Sequence, residues 1–266
     1  MQIASIEKLI DHTRTAGEIA LDVQRTMRFG ERSLKGDGSI LTEADPRVEA
    51  YLTEQIGQLY PQANIVGEES VWSYDPERPY TFAIDPIDGT DAFSQGMHGW
   101  SVSIGLLDRS LVPVAGIVYA PRLDMLFVAD VDQAATLNGQ AIHVPEQPLP
   151  LDRTTNVMAY SRLHAQVNLA QYLGKVRSIG SAALHICFTV AYPGVYASIE
   201  GRRVHIWDIA GAHAIVRSHG WTLGYLGGGS VTYEGMIEGQ PARDLVISGR
   251  PEHVDALRGV MAVDSR

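Results

Sequence analysis

The amino-acid sequence predicts a mixed α/β fold, and three observations carry that prediction. An amphipathic helical pattern opens the chain, a run of five strand-like segments fills its middle, and strands alternate with helical stretches in its later half. With 266 residues and 45% hydrophobic content, the chain has the apolar side chains for a substantial core.

In chain order, Ile3, Ile6, Leu9, Ile10, Ala16, Ala20, Val23 and Met27 recur at the spacing of one helix face. The segment from Arg28 to Gln62 gives a polar glycine-containing turn, a short strand, and a second helix carrying Val48, Leu52, Ile56 and Leu59. Asp45 and Pro46 suit the N-cap and first turn of that helix. Four strand-like runs follow, "ANIVGEE", "YTFAID", "WSVSIGLLD" and "LVPVAGIVYA", and "PRLD" turns the fourth into a fifth, "DMLFVAD". "LNGQAI" reads as an Asn-Gly hairpin, and the proline-rich "PEQPLPLD" (145–152) is the best place for a boundary between halves. Beyond it come the strands "NVMAY" and "GVYASIE", helices beginning near Gly180 and Asp208, the strand "DLVISG" and a helix from Pro251.

Composition excludes some function classes. A formal charge of −10 and the lack of any Lys/Arg run argue against a nucleic-acid surface or a basic membrane patch. Cys187 is the single cysteine, so no intrachain disulfide forms, and its apolar neighbours make it a small core residue. The N-terminus shows no apolar segment behind a basic start, and the chain has no apolar run of about 18 residues. A soluble, cytoplasmic protein is expected.

The chemistry concentrates in "FAIDPIDGTDAF", where Asp85, Asp88 and Asp91 stand three apart behind an apolar strand. Mg²⁺ takes oxygen ligands such as carboxylates, backbone carbonyls and substrate phosphate, and Asp85, Asp88 and the Ile87 carbonyl are spaced to supply them. The amides of Gly89 and Thr90, if a helix begins there, offer an anion site beside the metal. The alternative is an acidic surface turn held by Asx hydrogen bonds. Two further carboxylates end apolar runs: Glu68 in "GEES" and Asp208 in "HIWDIAGAHAIV". Taken singly, Glu68 reads equally as a solvated strand end and Asp208 as a helix N-cap. Three coincidences are harder to dismiss than one.

Together with "ILTEADPRVE" and "RSIGSAAL", the motifs "GEES", "DPIDGTDAF" and "WDIAGA" resemble those of the inositol monophosphatase family of magnesium-dependent, lithium-sensitive phosphatases. The resemblance runs from the first helix to the last. It implies one domain over 1–266 layered as an α-β-α-β-α sandwich of the sugar-phosphatase type, commonly a homodimer. It also implies two or three Mg²⁺ ions held by Glu68, Asp85, the Ile87 carbonyl, Asp88 and Asp208, with Asp85 bridging. Thr90 and Asp45 match the pair that orients and deprotonates the attacking water, and the Gly89 and Thr90 amides match the phosphate cradle. Lys35 matches a lysine of the loop near the metals, although a solvated loop lysine reads the same way. Asp91 falls where the family varies and is left outside the ligand set.

Other features have plainer readings. The glycine-rich "GYLGGGS" lacks the setting of a dinucleotide loop and reads as a flexible loop, and His205 and His213 form no zinc pattern with cysteine.

The expected substrate is a small phosphomonoester, with inositol monophosphate first. The family also includes phosphatases for fructose bisphosphate, adenosine 3′,5′-bisphosphate and histidinol phosphate, and a metal-binding regulatory protein is the non-enzymatic alternative. Ser181 and Ala182 match the segment lining the sugar side. Inositol-specific members place a hydroxyl-reading glutamate seven residues before the aspartate of the "WD" pair. That position is Gly201 here, with Glu200 one residue away. Arg202 and Arg203 could instead read a second phosphate through their guanidinium forks.

Overall fold

The computed structural model describes residues 6–28, 30, 32–36 and 40–263. Ile3 and residues 37–39 of the first glycine-containing turn lie outside them.

Helix α1 (Ile6–Thr26) buries Leu9, Ala16, Ala20 and Val23 along one face, as the periodicity predicts. Where one short strand was expected, Ser33–Leu34 pairs antiparallel with Ile40–Leu41. Helix α2 begins at Ala44, one residue before the expected cap, and Asp45 sits inside its first turn. The Asp45 carboxylate folds back to accept hydrogen bonds from the Thr42 amide (2.8 Å) and hydroxyl. It thus satisfies an amide ahead of the helix instead of capping from outside.

Ala63–Gly67, Tyr80–Asp88, Ser101–Asp108, Pro113–Ala120, Met125–Ala129, Thr136–Leu137 and Gln140–Ala141 form a seven-stranded sheet hydrogen-bonded in chain order. Its first pair is parallel and the rest antiparallel. Asn138 and Gly139 both take positive φ, 52° and 77°, which suits the hairpin turn read from "LNGQ".

A second sheet orders Lys175–Arg177, Asn156–Ala159, Val195–Glu200, Val246–Gly249 and Thr222–Tyr225. The remaining helices are α3 (Thr90–Ser94), α4 (Ala182–Ala191), α5 (Ile206–Arg217), α6 (Glu234–Ile237) and α7 (Pro251–Val260).

Three apolar clusters define the layers. Residues of α1 and α2 pack on one face of the seven-stranded sheet, against Phe82, Ile84, Ile104 and Ile117. Helices α4 and α5 share a cluster with that sheet's other face (Val118, Phe127) and with Val246 of the second sheet. Val254 and Leu257 of α7 cover Val157, Ile199 and Ile247 on the outer side of the second sheet. The order is the α-β-α-β-α sandwich the resemblance implies. Every residue of α4 from Ala183 to Val190 is buried, as a helix between two sheets must be.

Close approach of α5 to the first sheet depends on small residues. A Cβ on Gly116 would lie 2.1 Å from the Gly211 carbonyl oxygen, and one on Gly105 would lie 2.6 Å from the Ala210 Cβ. The helix axis therefore rests almost on the strands, which brings its first turn to the end of Tyr80–Asp88.

Cys187 is fully buried in the middle cluster. The "GYLGGGS" segment closes as a tight turn, with the Tyr225 amide donating to the Gly229 carbonyl at 2.9 Å. Among the described residues, no helix is long and apolar enough to cross a membrane.

Candidate active site

In a regular strand, residues three apart point to opposite faces. Asp85 pairs with Ser103 and Asp88 with Ser101, so three steps on one strand oppose two on the other. This bulge returns both carboxylates to one side, and Pro86 inside it has no amide to leave unpaired. Asp208, in the first turn of α5, accepts a hydrogen bond from the His205 amide, which fixes its side chain against the helix start. Asp85, Asp88 and Asp208 each offer a carboxylate oxygen, and these oxygens lie within 4.8 Å of one another.

The electrostatics match a site built for cations. Asp85 is 1% exposed and Asp88 4%. Burial pushes the Asp85 carboxyl well above its ordinary range, and Glu68, Asp88 and Asp208 push it further. Burial does the same to Asp208, with Asp88 and Glu68 adding repulsion. Asp88 is raised by burial too, but hydrogen bonds from the start of α4 oppose the shift. Ser181 Oγ, the Ala182 amide (3.0 Å) and the Ala183 amide (2.7 Å) all donate to it.

Glu68 stands beside this cluster, bonded by Lys35 Nζ at 2.7 Å, and Lys35 also reaches Glu69. Burial raises Glu68 to about 7 against the pull of Lys35. Burial lowers the Lys35 pKa, but Glu68 and Glu69 more than offset it and the group stays a firm cation. Glu49, 3% exposed, accepts the Glu69 amide at 2.8 Å and sits where a side chain on Gly67 would be, so the "GEES" turn closes over it.

Asp45 is fully buried, and burial raises its carboxyl while Thr42 pulls it down. One oxygen is taken by Thr42, and the other lies 3.3 Å from the Thr90 hydroxyl, which also reaches the Ile87 carbonyl at 2.9 Å. Gly89, with φ 92°, is the left-handed residue before α3. A Cβ there would lie 3.1 Å from both the Gly99 oxygen and the Ser181 nitrogen, so the Gly89 turn and the start of α4 interlock.

Of the specificity residues read from sequence, Glu200 is placed differently from expectation. Ser181 and Ala182 serve Asp88 directly. Glu200 is 2% exposed and bonded to His185 Nδ1 at 3.0 Å, so it is buried behind the site rather than offered to a sugar hydroxyl. Arg202 Nε pairs with Asp244 at 3.3 Å, with the arginine side chain 45% exposed, while Arg203 lines the cleft. That cleft, of about 590 Å³, is bounded by Lys35, Glu68, Trp72, Arg203, Trp207 and Asp208, among others. Asp91 turns away to pair with Arg32. His213 bonds Tyr233 at 2.9 Å, and His205 stacks on Trp207 at 4.7 Å.

Sequence reasoning missed Trp72, whose ring meets Trp207 edge-on at 5.5 Å and forms the cleft wall. A bulky aromatic two residues after "GEES" was the available signal.

Residues 4–250 match the model of the inositol monophosphatase family. The chain belongs to that family. By that membership it is a phosphatase of phosphomonoesters. It is 31% identical over 231 residues to inositol monophosphatase 1 of Sus scrofa, covering 81% of each chain. It is 26% identical over 239 residues to the 3′(2′),5′-bisphosphate nucleotidase CysQ of Buchnera aphidicola, covering 86% of this chain and 87% of that one. The extragenic suppressor protein suhB of Bartonella henselae shares the fold at a TM-score of 0.79 and 23% identity, over 95% of this chain and 96% of the other.

Proposed function

We propose that the protein is a Mg²⁺-dependent phosphatase of a small phosphorylated metabolite, with inositol monophosphate as the leading substrate. The observation carrying this reading is the cluster of buried Asp85 and Asp88 and half-buried Asp208 oxygens beside the Thr90–Asp45 pair. An all-oxygen donor set whose carboxylates are raised by burial and mutual repulsion fits a hard divalent cation. Glu68, Asp85, Asp88, Asp208 and the Ile87 carbonyl would hold two or three such ions. When bound, Mg²⁺ supplies positive charge for the phosphoryl oxygens and acidifies a water.

The protein's own groups do the rest. Thr90 Oγ has one proton and two acceptors in reach. Given to Asp45, that proton leaves the threonine lone pairs to accept from a water and so to aim it. Asp45, held by Thr42, takes the proton that the water releases through this contact. The Gly89 and Thr90 amides orient the phosphate, and the raised carboxyl of Asp45 is suited to a base in a buried site. Lys35 tethers Glu68 and keeps the "GEES" turn in place.

A bisphosphate remains the second reading, favoured by Arg203 in the cleft and by the likeness to CysQ. A panel of phosphorylated metabolites assayed for phosphate release, with and without Mg²⁺, tests both. Release from inositol monophosphate that stops in chelator supports the proposal, and metal-independent release or none from any monoester rejects it. A single domain over 1–266, a homodimer, lithium inhibition and a cytoplasmic location are proposed on the family resemblance. The single cysteine, which forms no intrachain disulfide, is in keeping with the last.

A further inference from the structure

Behind Asp88 lies a buried pair that the proposed mechanism does not use. His185, in the first turns of α4, is 1% exposed, and Glu200, ending the central strand of the second sheet, is 2% exposed. The Ile179 amide donates to His185 Nε2 at 3.0 Å. That nitrogen therefore carries the lone pair, the proton sits on Nδ1, and Nδ1–H donates to Glu200 Oε1 at 3.0 Å.

The His185 amide also donates to the Ser181 carbonyl at 3.1 Å. Two bonds thus tie the segment from Ile179 to His185 into a closed turn. That turn holds Gly180 at φ 127° and points Ser181 Oγ and the Ala182 and Ala183 amides at Asp88. The Ser181 amide is anchored in turn on the Gly99 carbonyl at 2.9 Å.

We infer that His185, oriented by Glu200, is a positioning residue for Asp88, setting through the Ile179–Ser181 turn the direction in which that carboxylate faces Asp85 and Asp208. The inference rests on the proposal that Asp88 is a metal ligand. Mg²⁺ demands near-ideal octahedral geometry, so a carboxylate free to rotate is a poorer ligand than one pinned by three donors. Groups that orient a ligand from behind commonly contribute 10- to 100-fold in metal affinity. Glu200 thereby takes a role different from the hydroxyl reader expected from sequence: it fixes the tautomer and ring plane of His185.

The test is Mg²⁺ binding by isothermal titration calorimetry on the whole protein, with KM for inositol monophosphate measured at saturating Mg²⁺. His185→Ala is expected to weaken Mg²⁺ binding by about 10- to 100-fold, with KM within about twofold of the parent. His185→Asn keeps a donor near the Nδ1 position, so Glu200 stays paired and the fold is protected, but it cannot reach the Ile179 amide. It should weaken Mg²⁺ binding by a similar factor. Glu200→Gln keeps an acceptor for Nδ1–H and should stay within about threefold of the parent in both measurements.

A His185→Asn protein that folds and binds Mg²⁺ like the parent overturns the inference. So does a Glu200→Gln protein whose KM rises tenfold with Mg²⁺ binding unchanged, because that result makes Glu200 a direct substrate contact. Asp88→Asn is the control. If it leaves Mg²⁺ affinity unchanged, the metal-ligand reading itself fails, which is a different outcome from loss at Asp88 without loss at His185.

Discussion

Asp85 faces Asp88 and Asp208 from a position 1% exposed, where burial and like charge both disfavour its ionised form. Asp85→Asn keeps the shape and replaces a charge by a neutral oxygen and a donor. We expect turnover and Mg²⁺ affinity to fall by more than about 100-fold, beyond the usual effect of an indirect partner. The melting temperature in chelator should match or exceed the parent's, because a repelled charge is gone. Steady-state assay, calorimetry and thermal melts check this, and near-parental activity rejects the site. Glu200 gives a separate prediction about pH. Burial raises its carboxyl to about 7, with His185 opposing and Asp88 adding to the rise. The native state then holds a proton that the unfolded chain has lost between about pH 4.5 and 7, so stability falls as pH rises through that window and levels off above it. Glu200→Gln should flatten this limb, by roughly 3 kcal/mol at most, as read from urea midpoints; an unchanged slope refutes it. The carboxylates of the candidate site were legible in sequence because Glu68, Asp85, Asp88 and Asp208 stand in three motifs that occur together, although each alone has an ordinary structural reading. The Glu200–His185 bond was not legible, since it spans α4 and a strand and depends on how they pack.

The element that makes the site is the bulge at the end of Tyr80–Asp88, and the element that completes it is α5. Nothing in "DPID" announces a bulge except Pro86, but Asp85 and Asp88 share a side only because the register slips between them. The placement of α5 depends on Gly105, Gly116 and Gly211, whose spacing carries no periodic signal. Gly116→Ala would set a methyl 2.1 Å from the Gly211 backbone oxygen, and no side chain can rotate out of the way. We expect a loss of about 1–3 kcal/mol or more from overpacking. Mg²⁺ binding should weaken along with it, because displacing α5 moves Asp208. Urea denaturation and calorimetry measure the two losses, and a stability loss with metal affinity intact would separate the helix from the site. Strands with apolar alternation were readable. Lys175–Arg177, exposed throughout, and Thr222–Tyr225, entered beside glycines, gave no such pattern. The start of α2 lies two residues earlier than expected, with Glu43 at the cap position and Asp45 reaching back to Thr42 from inside the first turn.

The site lies where the layers meet: Asp85 and Asp88 come from the first sheet, Asp208 from α5 and the donors to Asp88 from the start of α4. The middle apolar cluster joins both sheets through α4 and α5, so residues on either side of 145–152 pack in that cluster. That arrangement was legible only as a list of elements; which faces meet depends on burial that no local pattern encodes. It also makes the carboxylates a point of tension, since burial concentrates negative charge at the junction of the layers. A cation bound there by the native state and not by the unfolded chain stabilises the whole molecule by RT ln(1 + [Mg²⁺]/Kd), about 2.7 kcal/mol at a hundred times Kd. For a chain of this size that is a rise of roughly 5–10 °C in melting temperature. The rise should scale with the logarithm of Mg²⁺ concentration and be reversed by chelator. It should vanish in Asp85→Asn, and the parent should melt in a single transition if the cluster shared by both sheets couples their unfolding. A melt that splits into two steps, with Mg²⁺ shifting only one, would mean that the sheets are stabilised independently. A melt insensitive to Mg²⁺ in the parent protein would mean that the acidic cluster holds no cation.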